Sequence, residues 1–306
     1  MVCVGLNGYG QAPIYIICIL LFVSAAWAIP HEKKHVCEGD TCGVGGPLSQ
    51  SQIQLFHDLG FLILENFFTD AEVKQLEQAA IMTEQSKESV RGVWKYYNMQ
   101  ENGSVEEGKK KKTLDRVEAF VDVIPGWDLL GENNRIGKMV GQLFGEPAFL
   151  WKEKINFKKP DSPSGFEAHQ DVQAGWSENG MSLHITVGIS IDRTTVENGC
   201  IQFSPHTHTK GMLGPIRKAI PSTVVESIPW IKVPTTRKTI IVFGSYVPHK
   251  SDPNKSGSQR RFLLATYAKK SEETIESRKE YYEKKKKFAP PDIFKEPKKN
   301  YRGYLI

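Results

Sequence analysis

Two hydrophobic rhythms divide the chain. In its front part, apolar residues recur at helical spacing. Ser49–Leu59 reads as a short amphipathic helix that stops at Gly60, a natural left-handed terminus. Phe61–Leu64 follows as an apolar strand. Thr69-Asp-Ala-Glu72 has the form of a capping box and opens a helix to about Gln85, and a further helix is expected around Gly131–Phe144. From Ala148 onward the rhythm changes to short β-branched and aromatic runs punctuated by Gly, Pro, Asn and Asp. They are Phe149–Phe157, Leu183–Ile191, Gly199–Phe203, Thr239–Phe243 and Arg261–Tyr267. Short strands with helices collected in front predict a mainly β fold with flanking α-helices, built on a double-stranded β-helix of the jelly-roll or cupin-like kind. Between the two regions, residues 87–112 form a long polar excursion containing Trp94, Tyr96 and Tyr97, expected to be either a lid or a surface insertion. A charged helix over Ser271–Lys286 and a polar tail close the chain.

The N-terminus follows neither rhythm. Ile14–Trp27 is apolar but short for a bilayer span, and it ends in Ala26-Trp27-Ala28, the small-x-small pattern of a signal-peptidase site. Residues 1–28 are therefore expected to be a signal peptide, with a membrane anchor through residues 14–28 as the alternative. A linker follows over 29–48, one oxygenase-sized domain over 49–270, and the charged helix and tail over 271–306. The expected location is the secretory pathway, either the ER lumen or outside the cell. Cys37 and Cys42 could close a small disulfide loop in such a compartment, leaving Cys200 as a buried, unpaired strand residue. Of two glycosylation sequons, Asn102 lies in a polar loop, whereas Asn254 falls in a turn expected to be buried.

Composition is that of a globular protein of 306 residues with 40% hydrophobic positions, enough for a sizeable core. The net charge of +5 owes much to two lysine runs, Lys109–Lys112 and Lys284–Lys287. These are solvated surface rather than a nucleic-acid face, and no membrane contact is expected once the signal is removed. A monomer or weak dimer acting on a small molecule is the expected form.

The chemistry concentrates in three places. His169-Gln170-Asp171 aims an imidazole and a carboxylate the same way, because alternate residues of an extended chain share a face. His249 stands at a strand start after a long apolar run, and with the first pair it would complete a facial triad that leaves metal positions open. Arg260 lies eleven residues further on, suited to grip a carboxylate bidentately, and the adjacent Arg261 must point to the opposite face. Ser251 and Asn254 sit in the polar turn between. His206 and His208 could be a second metal pair or a turn with satisfied imidazoles, the latter being favoured.

These elements, in this order, resemble the phytanoyl-CoA dioxygenase family of iron(II)/2-oxoglutarate oxygenases. The resemblance runs from about Gln50 to Ala268. It includes the opening helix-strand-helix, Lys154-Ile-Asn156, His169-Gln-Asp171, Glu197-Asn-Gly-Cys-Ile201, Ser204-Pro-His-Thr-His208, and His249-Lys-Ser251 with Arg260. It implies that His169, Asp171 and His249 hold Fe(II), and that Arg260 anchors 2-oxoglutarate. It further implies O2 as co-reactant, ascorbate as a further candidate, and hydroxylation, not halogenation, since Asp171 is retained. Lys154, Asn156 and Ser251 are expected beside the cosubstrate. Where family members often carry Trp in the central strand, this chain reads Val187-Gly188-Ile189, so that wall is expected to be either open or filled from elsewhere, with Trp176 the candidate. The Lys154–Trp176 region resembles members acting on small polar metabolites, aminophosphonates among them. The alternatives are a luminal peptide or protein side chain as substrate, a barrel that binds metal without catalysis, or a cupin of another chemistry.

Overall fold

Leu62 and Leu64 point to one side of their strand and Phe61 and Ile63 to the other, and both sets are buried in separate apolar clusters. A strand covered on both faces lies inside a layered fold. The computed structural model describes residues 35–36, 48–89, 91–101, 110–160, 165–176 and 180–295. The signal segment with its Ala28 cleavage site, Cys37, Cys42, Asn102 and most of the expected linker lie outside the described residues. Among the described residues, no helix is long and apolar enough to cross a membrane.

The strands in chain order are β1 (His35–Val36), β2 (Phe61–Glu65), β3 (Trp94–Glu101), β4 (Lys110–Glu118), β5 (Ala148–Lys158) and β6 (Phe166–His169). They continue with β7 (Ile185–Ser190), β8 (Ile201–Phe203), β9 (Ile231–Val233), β10 (Ile240–Gly244), β11 (His249–Ser251) and β12 (Arg260–Lys269). Eight form one sheet, ordered β1-β2-β10-β7-β12-β5-β4-β3, and four form the other, ordered β6-β11-β8-β9. Phe61, Ile63, Ile241, Phe243 and Phe262 of the large sheet pack against Ile201, Phe203, Ile231 and Val233 of the small one. The two sheets thus close on each other, as the double-stranded β-helix expectation requires.

Helices α1 (Gln50–Leu59), α2 (Asp70–Gln85) and α3 (Arg135–Phe144) lie before most of the strands in sequence. Leu76, Ala79, Ile136, Met139 and Val140 cover the outer face of the large sheet, against Val187, Ile189, Ile240 and Leu263. The first two helices begin at capping boxes, Ser49 with Gln52 and Thr69 with Glu72, and α1 ends at Gly60. The third starts later than expected: Gly131 ends a 3-10 turn over Asp128–Leu130, and the helix begins after Asn134.

Two expectations need larger correction. Among the described residues, the 87–112 excursion supplies β3 and the start of β4, which pair with each other, and β4 extends the large sheet through pairs such as Val117 with Ile155 and Glu118 with Lys154. Its charges hid the strand pattern, while Trp94 is buried against Tyr282 and Phe294. The C-terminal helix α5 is Arg278–Phe288, capped by Ser277 and Glu280, and does not start at Ser271. It has an inward face: Tyr281 and Tyr282 join Trp94, Trp151 and Trp176 in a third apolar cluster. Arg278 pairs with the buried Glu153 of β5, whose other oxygen accepts the Phe120 and Val121 N–H groups. The short helix α4 (Ser222–Ser227) is peripheral.

Asn254 is buried, donating to the Lys158 and Ser258 carbonyls while its own oxygen accepts from Ser256. It cannot carry a glycan without opening that turn. Deglycosylation of an Asn102→Gln variant is expected to leave the intact mass unchanged. Asn254→Ala should cost about 1–3 kcal/mol in denaturant unfolding, from the groups it orphans; a glycan mass at Asn254 would contradict the buried turn.

Candidate metal centre

Antiparallel pairing of β11 with β6 sets His249 directly opposite His169. Directly opposed residues share a face of the sheet, so the two imidazoles meet, with ring centroids 4.2 Å apart. Each ring is fixed by its own strand: His169 Nδ1 lies 2.7 Å from the Glu167 carbonyl and His249 Nδ1 lies 3.0 Å from that of Val247. Carbonyls only accept, so Nδ1 carries the proton in both rings and Nε2 keeps its lone pair for a ligand.

Asp171 lies two residues past the end of β6, at the start of a 3-10 turn over Asp171–Ala174. Gln170, between the ligands, points away and anchors the turn. Its Nε2 donates to the Gly211 and Tyr246 carbonyls and its Oε1 accepts from Leu213 N–H. The turn is also tied to the Ser245 carbonyl through Val172 N–H. Asp171 Oδ2 accepts a 2.9 Å hydrogen bond from Thr186 of β7, whose hydroxyl also meets that of Thr266 on β12 at 3.0 Å. Asp171 Oδ1 is thereby left facing His249 Nε2 at 3.9 Å. One ligand atom from each of the three residues lies within 4.8 Å of the others, and all three side chains are buried.

Burial drives the His169 imidazole down to about 3, with His249 adding to the effect, and lowers that of His249 as well. Burial pushes the Asp171 carboxyl up, but His249, Lys152 and Lys154 outweigh it and hold it at about 2. At neutral pH the trio is therefore two neutral imidazoles and one carboxylate, the protonation state that metal binding requires. The donor set, two nitrogens and one oxygen with a free side, fits iron(II) of the facial-triad type.

Beside the trio is a narrow slot of about 30 Å³ bordered by Lys154, Asn156, His169, His249, Ser251, Arg260 and Phe262. Four of the five residues expected at the cosubstrate are here. Arg260 is 2% exposed; its Nη2 donates to the Gly199 carbonyl at 2.7 Å, and its Nε has no partner among the described residues. Asn156 Oδ1 is likewise buried without a partner. Buried polar atoms left unpaired are costly, so these two suit a polar ligand that fills the slot. The slot is tight for a five-carbon diacid, which would have to displace the Lys154 arm or the Phe262 ring. Arg261 faces the other way and grips Asp192 through Nε at 2.9 Å and Nη2 at 2.8 Å.

Trp176 is not at the slot. The wall beside Gly188 is filled by Phe262, whose ring would lie 2.8 Å from a Cβ placed there, so a larger residue at 188 could not coexist with it. Nor do His206 and His208 form a metal pair: their ring nitrogens contact the Asp58 and His57 carbonyls. Cys200 is free and buried just ahead of β8.

Sequence reasoning missed Lys158. Lys152, Lys154, Asn156 and Lys158 are alternate residues of β5. Lys158 is 2% exposed, donating to Ser251 Oγ at 2.7 Å and to the Gly199 carbonyl, and its ammonium is lowered to about 7 by burial and by Arg260. Gly199 (φ 75) permits this crowding, since a Cβ would strike the Asp252 carbonyl. A period-two reading of β5 would have found the row. Also missed was a second cavity of about 340 Å³, lined by Arg116, Lys152, Lys154, Trp151, Trp176, Tyr281 and Lys285 among others. Lys154 borders both spaces, so this cavity adjoins the slot.

Two measurements test the centre. Thr186→Val keeps the side-chain shape but frees Asp171, and should weaken Fe(II) or Mn(II) binding about ten- to hundred-fold in a titration. In metal-free protein, His169 and His184 are both held near 3 by burial, against 6.5 in an open chain. The unfolded chain then binds protons that the folded one refuses. Stability is complete above 6.5 and should fall as pH drops toward 3; a thermal midpoint flat across that window would count against this geometry.

A sequence model of the phytanoyl-CoA dioxygenase (PhyH) family matches residues 56–262. The chain is 32% identical over 252 residues to a methylphosphonate hydroxylase of Gimesia maris, covering 80% of this chain and 90% of that protein. It is also 32% identical over 260 residues to a 2-aminoethylphosphonate dioxygenase of an uncultured bacterium, covering 83% and 93%. In fold it resembles EctD from S. alaskensis, solved with 2-oxoglutarate and 5-hydroxyectoine. There the TM-score is 0.62 at 18% identity, over 78% of this chain and 81% of that one. The match spans all three ligands of the buried centre and the arginine beside it, and the chain belongs to the phytanoyl-CoA dioxygenase family.

Proposed function

We propose that this iron(II)- and 2-oxoglutarate-dependent dioxygenase hydroxylates a small organophosphonate, and that the 340 Å³ cavity next to the metal centre receives it. The observation that carries the substrate class is the unbalanced positive charge of that cavity. Lys152 and Lys154 project from alternate positions of β5, and among the described residues neither has a carboxylate within ion-pair distance. Burial pushes both ammonium groups below the ordinary lysine range, and each suffers from neighbouring cations. A phosphonate, an anion at neutral pH that gives up its remaining proton readily beside cations, would relieve that cost. The cavity size suits a small ligand. Two relatives at 32% identity are named for phosphonates, which supports the same reading.

His169, Asp171 and His249 would hold iron(II), which with 2-oxoglutarate and O2 would supply the oxidation, one oxygen atom going to a substrate C–H bond and the other to succinate with loss of CO2. The protein's part is positioning. Thr186 and the two strand carbonyls fix the three ligands before the metal arrives. Arg260 receives the distal carboxylate of 2-oxoglutarate, with Asn156 and Lys154 alongside, and Lys158 holds Ser251 behind them. Lys152 and Lys154 hold the phosphonate. The aromatic wall of Trp151, Trp176 and Tyr281 excludes water from the reacting carbon. Entry into the secretory pathway, with a cleaved signal over residues 1–28, is part of the same proposal and rests on the sequence pattern alone.

The test is succinate formation and hydroxylated product from purified protein with Fe(II), 2-oxoglutarate and simple phosphonates. Asp171→Ala should abolish turnover, and undiminished succinate from that variant would remove the metal assignment. Arg260→Ala should chiefly raise the 2-oxoglutarate requirement. Lys152→Met should raise the phosphonate KM about ten- to hundred-fold while leaving the 2-oxoglutarate KM unchanged. Equal effects on both constants would argue against the two-site division.

A further inference from the structure

Each carboxylate that lines the substrate cavity is paired with a cation. Glu118 lies 2.8 Å from Arg116 Nε and also pairs with Lys285 of α5, and these two cations outweigh its burial to hold it at about 2. Glu153 is taken by Arg278 and by two backbone N–H groups. Glu276 pairs with Lys284 at 2.6 Å. Asp171 is one of the three candidate metal ligands and accepts from Thr186. The face of Trp176, which might otherwise attract a cation, already carries Lys152 Nζ at 3.9 Å.

Resting on the phosphonate reading, we infer that this cavity selects a phosphonate whose far end is uncharged and rejects one that bears an ammonium group. An ammonium here would be stripped of water, find every lining carboxylate already paired with a cation, and sit among Lys152, Lys154 and Lys285. Like charges held together in a desolvated site repel strongly, and such repulsion is an effective means of discrimination. The selecting pair is Glu118 with Lys285. The lysine comes from α5, which lies beyond residues 56–262 matched by the family model. With Lys285 occupied elsewhere or absent, Glu118 would keep only Arg116 and could accept a substrate cation.

The experiment compares propylphosphonate with 2-aminoethylphosphonate, which match in heavy-atom count and differ by CH3 against NH3+. Two readouts are taken: kcat/KM for succinate formation with Fe(II), and protection of the 2-oxoglutarate-loaded protein against thermal unfolding. Wild type should favour propylphosphonate by roughly a hundredfold in kcat/KM and show protection by it alone. Lys285→Met should shrink that preference tenfold or more, and adding Glu118→Gln should restore it, which mere enlargement of the cavity would not do. Equal use of the pair by wild type, or preference for the amine, overturns the inference while leaving the phosphonate reading intact. If no phosphonate is turned over or protects, the phosphonate reading itself falls, and this inference with it.

Discussion

One cross-strand register governs this protein: His249 of β11 opposite His169 of β6. Because side chains alternate across a strand, a slip of one residue would turn one imidazole away from the other and leave Asp171 facing a single nitrogen. The register is held by the apolar contacts of β8 and β9 with the large sheet, and Phe203 of β8 and Phe243 of β10 pack beside His249. Gln170, reversed between the two ligands, anchors the following turn to three backbone groups. Stability of the small sheet and competence of the metal centre are therefore the same physical property.

The large sheet separates its two faces sharply. Ile185, Val187, Ile189, Leu263 and Ala265 face the helices, whereas Thr186, Ser190, Thr266, Arg260 and the β5 row of lysines and asparagine occupy the other faces of the same strands. Burying so many polar groups is unfavourable unless each finds a partner or a ligand. Some do, as Lys158 does with Ser251. Others, such as Asn156 Oδ1 and Arg260 Nε, do not. The helical layer over the outer face supplies the apolar burial that offsets an interior arranged for ligands.

Much of the architecture was legible because local signals were strong. The amphipathic pattern ending at Gly60 and the capping box at Thr69 placed two helices within a residue or two, and apolar runs located β5, β7, β10 and β12. The hairpin β3–β4 was not legible, since lysines and glutamates dominate it and its buried Trp94 rests on α5, far along the chain. The start of α5 was misplaced because a charged stretch looks helical throughout, while the decisive Ser277–Glu280 cap is only two residues within it. Strands of three or four residues, such as β6, β9 and β11, are too short to show a period. They exist because neighbouring strands complete their hydrogen bonds.

By itself the sequence determined the chemistry that is local: the imidazole and carboxylate two residues apart, the second histidine after an apolar strand, and the division of labour between Arg260 and Arg261. Those follow from the strict alternation of an extended chain, which needs no knowledge of the rest. Only the tertiary structure decided what surrounds the metal. It placed Trp176 on the 340 Å³ cavity and not at the slot beside Arg260, put Phe262 over Gly188, and gathered Arg116, Lys152, Lys154 and Lys285 from three separate elements. The reason is that charge is felt through space. Which carboxylates are spent and which ammonium groups remain uncompensated depends on sheet order and helix docking, and no spacing along the chain encodes either one.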